Sequence, residues 1–177
     1  MTGTVPTPKQ VRFAVEDPLL RFWFRFVLPQ RGLLELERHG EVVARIRREL
    51  DPFTAATYED VCRDAVRRGL LDEPGRAPWQ RVGRWWDSGA EIDVVALGAG
   101  GEASLFGECK WSANLVGTDI LDDLRQKRSL VDPEGRWPGV SYALFAKAGF
   151  TPGLVSRAAA EGVRLVGPEA LVAGDSW

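Results

Sequence analysis

The sequence predicts an α/β fold, a mixed sheet flanked by helices behind an N-terminal helical extension, and three observations carry that prediction. Beyond residue 50 the apolar spacing runs in the order helix, strand, strand, strand, helix, strand, helix, strand. Two of those strands flank a glycine-rich GAGG at 98–101 within EIDVVALGAGGEASLFGECKW, so the first part of the sheet holds an antiparallel hairpin. The later segment VSYALFAK is a continuous apolar run of the kind a parallel strand covered on both faces requires, with right-handed helical crossovers around it.

At 177 residues the chain has room for about one domain and a short accessory segment. Apolar residues make up 45% and seven residues are Trp, ample for one sheet-and-helix core. A formal charge of −2 supplies no whole-molecule field toward nucleic acid or an anionic membrane, so any such binding must come from a local patch. Arg greatly outnumbers Lys; it is the better phosphate fork, although coding-DNA composition accounts for the larger share of that bias. Cys62 and Cys109 form no paired framework, no signal peptide is evident, and the longest apolar run falls well short of the ~18 residues that span a bilayer. A cytoplasmic protein without membrane association is expected.

Residues 1–12 are polar, carry Pro6 and Pro8, and read as a frayed start or as the scar of something longer upstream. In DPLLRFWFRFVL, 17–28, Asp17 can cap a helix, Pro18 suits its first turn, Arg21 and Arg25 share a polar stripe, and Pro29 is expected to stop it. The other faces are aromatic or aliphatic, so this short helix must be buried against the rest of the chain, a second subunit or a missing domain. Residues 33–50 predict a surface helix with a break near Gly40, and His39, the only histidine, reads as solvated. A new helix is expected to start at Asp51-Pro52 and run to Gly69. Its apolar stripe is Tyr58, Val61, Cys62, Ala65 and Val66, Glu59 lies at the margin, and Arg63, Arg67 and Arg68 occupy outer positions that could meet phosphates but read first as a solvated face.

Residues 71–78 form a loop by composition and 79–86 a strand. TDILDDLRQKRSLV, 118–131, predicts a helix capped by Thr118, with Ile120, Leu121, Leu124 and Val131 inward, Lys127 and Arg128 flanking, and Gln126 pointing away. TPGLVSRAAAEG gives another helix, VRLVG a last strand and PEALVAG a terminal turn. No P-loop motif occurs and the GAGG lies between strands instead of opening a helix, so ATP hydrolysis by this chain is not expected.

The hairpin outlines a metal site. A turn centred between Gly100 and Gly101 sets Asp93 opposite Glu108 and Glu91 opposite Lys110, all four on one face, with opposed Cβ atoms roughly 5 Å apart. Two carboxylates that close repel each other and need a cation or a raised pKa. Hard oxygen ligands suit Mg²⁺ or Mn²⁺, and no His or Cys cluster competes for the site. Lys110 would orient an attacking water or stabilise charge as it develops.

A helix carrying Glu59, a strand carrying Asp93, a next strand carrying Glu108-Cys109-Lys110, and then a helix and a strand resemble the PD-(D/E)xK nuclease superfamily and its restriction-endonuclease-like fold. The resemblance implies that Asp93, Glu108 and the carbonyl of Cys109 bind Mg²⁺ (or Mn²⁺) and that Lys110 assists the water. Glu59 matches the helix-borne acid of branches similar to archaeal Holliday-junction resolvases, and Glu91 flanks the site. Ile92 stands where the PD pair has proline, which leaves the ligands untouched.

More specifically, DPLLRFWFRFVLP with YEDVCRDA, RVGRWWDSGAEIDVVAL and LFGECKW resembles the C-terminal region of archaeal and bacterial DEXX-box ATPases, in which a AAA-type ATPase and a winged helix precede a nuclease-like domain. The ATPase part is absent. That implies an N-terminal extension, 1–49, as the remnant of a linker to a winged-helix/ATPase region, and a nuclease-like domain, 50–177. It further implies a Mg²⁺-dependent nuclease-like domain acting on DNA, branched DNA included, partnered by a separately encoded ATPase or by a second copy through the 19–28 helix. The alternative is a catalytically inactive DNA- or protein-binding module of the same fold.

Overall fold

A computed structural model describes residues 15, 17–72, 75, 77–87, 89–101, 103–135, 137 and 139–172. The expected frayed start at 1–12 lies outside the described residues, as do parts of the loops around 73–76, 88 and 136–138. The chain divides into two units, Met1–Phe53 and Thr54–Trp177.

In the first unit Asp17 caps α1 (Pro18–Phe22), its Oδ1 accepting the Leu20 N–H at 3.0 Å, with Pro18 in the opening turn. Pro29 does not end the helical path as expected. The backbone widens into a π turn over Trp23–Val27, tightens to a 3₁₀ turn over Leu28–Gln30 and continues as α2 (Arg31–Glu35). Proline lacks an N–H and crowds the carbonyl four residues before it, and a wide turn ahead of it relieves both faults. The expected break near Gly40 falls earlier, at Glu37, which adopts φ 59°. Phe22, Phe26 and Phe53 pack with ring centroids 5.1 to 5.9 Å apart. Only part of the aromatic segment is covered within this unit: Leu19 is 72% and Phe24 53% exposed.

The long helix α3 (His39–Arg67) includes Pro52 in its interior, so the fresh start expected at Asp51-Pro52 does not occur. An interior proline costs about 3 kcal/mol, and the strong helix formers Ala44, Arg45, Arg47, Arg48, Glu49 and Leu50 before it favour continuation over a cap. The boundary between the units lies at Phe53/Thr54, just past that proline, four residues beyond the expected one.

The second unit is a five-stranded mixed sheet in the order β1-β2-β3-β4-β5: β1 (Arg81–Asp87), β2 (Ala90–Leu97), β3 (Ala103–Lys110), β4 (Gly139–Ala146) and β5 (Arg164–Val166). The first three strands are antiparallel, and β4 and β5 add in parallel. Helix α4 (Thr118–Val131) precedes β4, with Gly117 instead of Thr118 at the cap position, and α5 (Pro152–Glu161) precedes β5. The expected terminal turn is a short helix, α6 (Pro168–Val172). On one face Tyr58, Cys62, Ala65 and Val66 of α3 cluster with Val94, Ala96, Leu105, Cys109 and Phe145; Val61, expected in that stripe, is 40% exposed. On the other face Leu121 and Leu124 of α4 and Leu154 of α5 cluster with Ile92, Phe106 and Leu144.

The register of β2 on β3 is the one a turn centred on Gly100 and Gly101 demands, running from Leu97↔Ser104 to Val94↔Gly107, and Gly100 turns the chain at φ 68°. Gly107 is required by close approach, since a Cβ there would lie 3.0 Å from the Val94 Cβ and 3.1 Å from the Phe145 ring. Among the described residues, no helix is long and apolar enough to cross a membrane.

Candidate functional site

The site lies where the β2–β3 ladder stops. Pairing ends at Val94↔Gly107, and on the other side of β2 the register slips: Gly83 pairs with Val95 but Trp85 with Ile92. Asp93 and Val94 therefore stand together against the single residue Arg84, a β-bulge of the kind that re-aims side chains. Alternation is broken there. Ile92 and Val95 belong to the α4-side core, whereas Val94 and Ala96 belong to the α3-side core.

At the bulge Asp93 is held at both ends. Its Oδ2 accepts the Cys109 N–H at 2.8 Å, taking the place of a strand partner, and its carbonyl accepts from Arg63 Nη1 at 2.6 Å. Arg63, expected on a solvated face, is only 6% exposed; it also donates to Asp60 at 2.6 Å and lies 3.8 Å from Glu59. Helical spacing predicts its pairing with the carboxylates three and four residues before it, but not its turn inward to a strand carbonyl.

On β3 Glu108 is buried and doubly paired. Lys110 Nζ donates to Oε1 at 2.7 Å, and Lys127 Nζ, reaching in from α4, donates to Oε1 and Oε2 at 3.1 Å each. Lys127 also lies 3.1 Å from Asp123 Oδ2. Burial alone would lower the Lys127 pKa, but Glu108 and Asp123 outweigh it and hold the ammonium charged. Sequence reasoning placed Lys127 beside the inward face of α4 without giving it a site role; that α4 packs over the end of β3 is a tertiary fact.

Asp93, Glu108 and Lys110 are thus brought together, and Glu59 approaches Asp93 from α3. Glu91 is not on the face of Glu108 and Lys110 as strict alternation predicted. The bulge turns it away, and it lies 3.7 Å from Arg84. Electrostatics tie the acids into one group. Burial, and next the charge of Glu108, push Asp93 up to about 6, opposed by the Cys109 N–H, Lys110 and Lys127. Burial, and next Asp93, push Glu59 up to about 7, opposed by Arg63. Burial also pushes the thiol of Cys109 up.

Among the described residues, no three His, Cys, Asp or Glu side chains are grouped to enclose a metal ion; both oxygens of Glu108 are directed to lysine ammonium groups. The donor chemistry nonetheless fits a hard divalent cation: all the candidate side-chain ligands are carboxylates, and their repulsion is the strain such an ion relieves.

Three comparisons bear on the chain. The profile of the family DUF234, described as archaeal and bacterial proteins of unknown function, matches residues 23–123. That span includes Glu59, Asp93, Glu108 and Lys110. The uncharacterized protein MJECL04 of Methanocaldococcus jannaschii is 29% identical over 128 residues, which cover 70% of this chain and 28% of that protein. The chain therefore spans less than a third of this relative's length. Among solved structures, a repair endonuclease from Pyrococcus abyssi superposes with a TM-score of 0.41 at 13% identity, over 62% of this chain and 46% of its own. The protein of unknown function AF1548 gives a TM-score of 0.40 at 19% identity, over 62% and 59%.

Proposed function

The chain belongs to the DUF234 family, and from that premise and its carboxylate site we propose a Mg²⁺- or Mn²⁺-dependent nuclease-like domain that acts on DNA phosphodiester bonds. One observation supports the reading above others: the end of the β2–β3 ladder gathers Asp93, Glu108 and a lysine already bonded to Glu108, within electrostatic reach of a half-buried acid on a helix.

In this reading Asp93, Glu108 and the carbonyl of Cys109 would hold the ion, which when bound supplies Lewis-acid polarisation of the phosphate and a more acidic water. The protein's own groups do the rest. The Cys109 N–H fixes the orientation of Asp93, and Arg63 fixes its backbone. Lys110 orients the attacking water and stabilises negative charge as it grows on phosphorus-bound oxygens. Glu59, held near pKa 7, takes up the proton released by that water at neutral pH.

The substrate in this proposal is DNA, branched DNA included, and the domain serves as an accessory part of a DEXX-box ATPase system. Its partner is a separately encoded ATPase or a second copy, meeting the 19–28 segment. Purified protein with Mg²⁺ or Mn²⁺ is expected to nick plasmid or branched DNA, and Asp93→Asn and Lys110→Ala to abolish nicking with the circular dichroism spectrum intact. Undiminished nicking by either variant would sink the mechanism.

A second reading, a catalytically inactive DNA- or protein-binding module, is favoured by the commitment of both Glu108 oxygens to ammonium groups. Calorimetry with Mn²⁺ separates the two, because the inert module takes up no ion through Asp93.

A further inference from the structure

We infer that Lys127 is an internal counter-cation for Glu108, holding that carboxylate until a divalent ion displaces it and so setting how tightly the site takes up metal. The inference rests on the metal-binding reading proposed above. Glu108 has a side chain only 5% exposed, and a carboxylate so far from water requires a positive partner in the metal-free protein. Two ammonium groups serve it, and they are not equivalent. Lys110 bonds to Oε1 alone, at 2.7 Å, which leaves lone pairs free on both oxygens. Lys127 is 3.1 Å from each oxygen, so it straddles the carboxylate where a cation shared by the two oxygens would rest. A metal ion and Lys127 therefore compete for the same lone pairs, while Lys110 need not move.

Displacement does not strand the ammonium. Asp123 lies one helical turn earlier on α4, its Oδ2 3.1 Å from Lys127 Nζ, and at 53% exposure it opens toward water. Lys127 can release Glu108, keep Asp123 and remain near the site as a charge. The arrangement also accounts for the absence of a closed carboxylate cage among the described residues, since Glu108 is turned to the lysines.

The test is calorimetric titration of Mn²⁺ into the full chain, with folding checked by circular dichroism. Lys127→Gln is expected to bind Mn²⁺ at least fivefold more tightly than wild type. Lys127→Arg, which keeps a cation able to fork onto both oxygens, should match wild type. Asp123→Asn, which removes the ammonium's other anchor, should bind more weakly. If wild type binds through Asp93, shown by loss in Asp93→Asn, and Lys127→Gln binds no tighter, this inference fails and the metal-site reading survives. If none of the proteins binds, Lys127→Gln included, both fail. Should Lys127→Gln not fold, equal or tighter binding by Asp123→Asn overturns the inference alone.

Discussion

Replacing Asp93 by Asn asks whether the site is strained in the metal-free fold. Asn is nearly isosteric and keeps a side-chain oxygen for the Cys109 N–H, which Asp93 engages at 2.8 Å, so the substitution chiefly removes charge. The Asp93 pKa rises from 3.8 to about 6 on folding, burial being the larger cause and Glu108 the next. The sign follows. An acid whose pKa is raised by folding favours the folded state while protonated; that contribution is complete below pH 4 and is lost as pH rises through 6. At roughly 1.4 kcal/mol per pKa unit the shift corresponds to a ceiling of about 3 kcal/mol, and partial exposure of the side chain brings the expectation to about 1–3 kcal/mol. In chelator-containing buffer Asp93→Asn should therefore be more stable than wild type at pH 8 by that amount. The two urea curves should converge as pH falls to 4. Glu59, raised from 4.5 to about 7 by burial and next by Asp93, steepens the decline toward pH 7 more in wild type than in the variant, which lacks the Asp93 charge. An Asn variant less stable than wild type at pH 8, or a stability gap that does not close on acidification, would refute the claim that these carboxylates repel in the folded state. Saturating Mg²⁺ should remove the advantage by stabilising wild type alone.

Three further outcomes are expected. Gly107→Ala forces a Cβ to 3.0 Å from the Val94 Cβ and 3.4 Å from the Ala143 carbonyl, neither of which can swing aside, so the urea midpoint should fall by the equivalent of about 1–3 kcal/mol. Arg63→Met removes the donor to the Asp93 carbonyl and to Asp60 and should cost about 2–3 kcal/mol in the same assay; wild-type stability in this variant would mean that Arg63 does not hold the bulge. Cys62 and Cys109, 0% and 8% exposed, should react with a thiol reagent only in denaturant; prompt labelling of both in native buffer would contradict the packing.

The site was legible in the sequence wherever it depends on period and register, and illegible wherever a local rule is broken by tertiary structure. A two-residue side-chain period and a glycine turn suffice to align β2 with β3, and the observed pairs from Leu97↔Ser104 to Val94↔Gly107 follow that alignment. The same rule carried one step further fails, because β2 bulges at Asp93–Val94 against Arg84; Gly83 lies beside the slip, but a glycine inside a strand does not tell which residues of the neighbouring strand are doubled. The consequence is functional. Without the bulge Glu91 would share the face of Glu108 and Lys110; with it, Asp93 remains in reach of Cys109 and Glu91 turns to Arg84. Arg63 was misplaced for a related reason, since helical spacing alone does not reveal that an arginine at the margin of a stripe bends inward to a strand carbonyl. Pro52 is the converse case: a cap-and-proline signal reports only what the local chain tolerates, and α3 continues through it. Lys127 shows the remaining limit. Its distance from Glu108 is fixed by how α4 crosses the sheet, a relation between residues 19 apart in sequence that no single-segment pattern contains. The acids of the hairpin could be read as candidates one by one, but the cations that hold them, Arg63 and Lys127, come from helices on opposite faces of the sheet and become visible only when the layers are assembled.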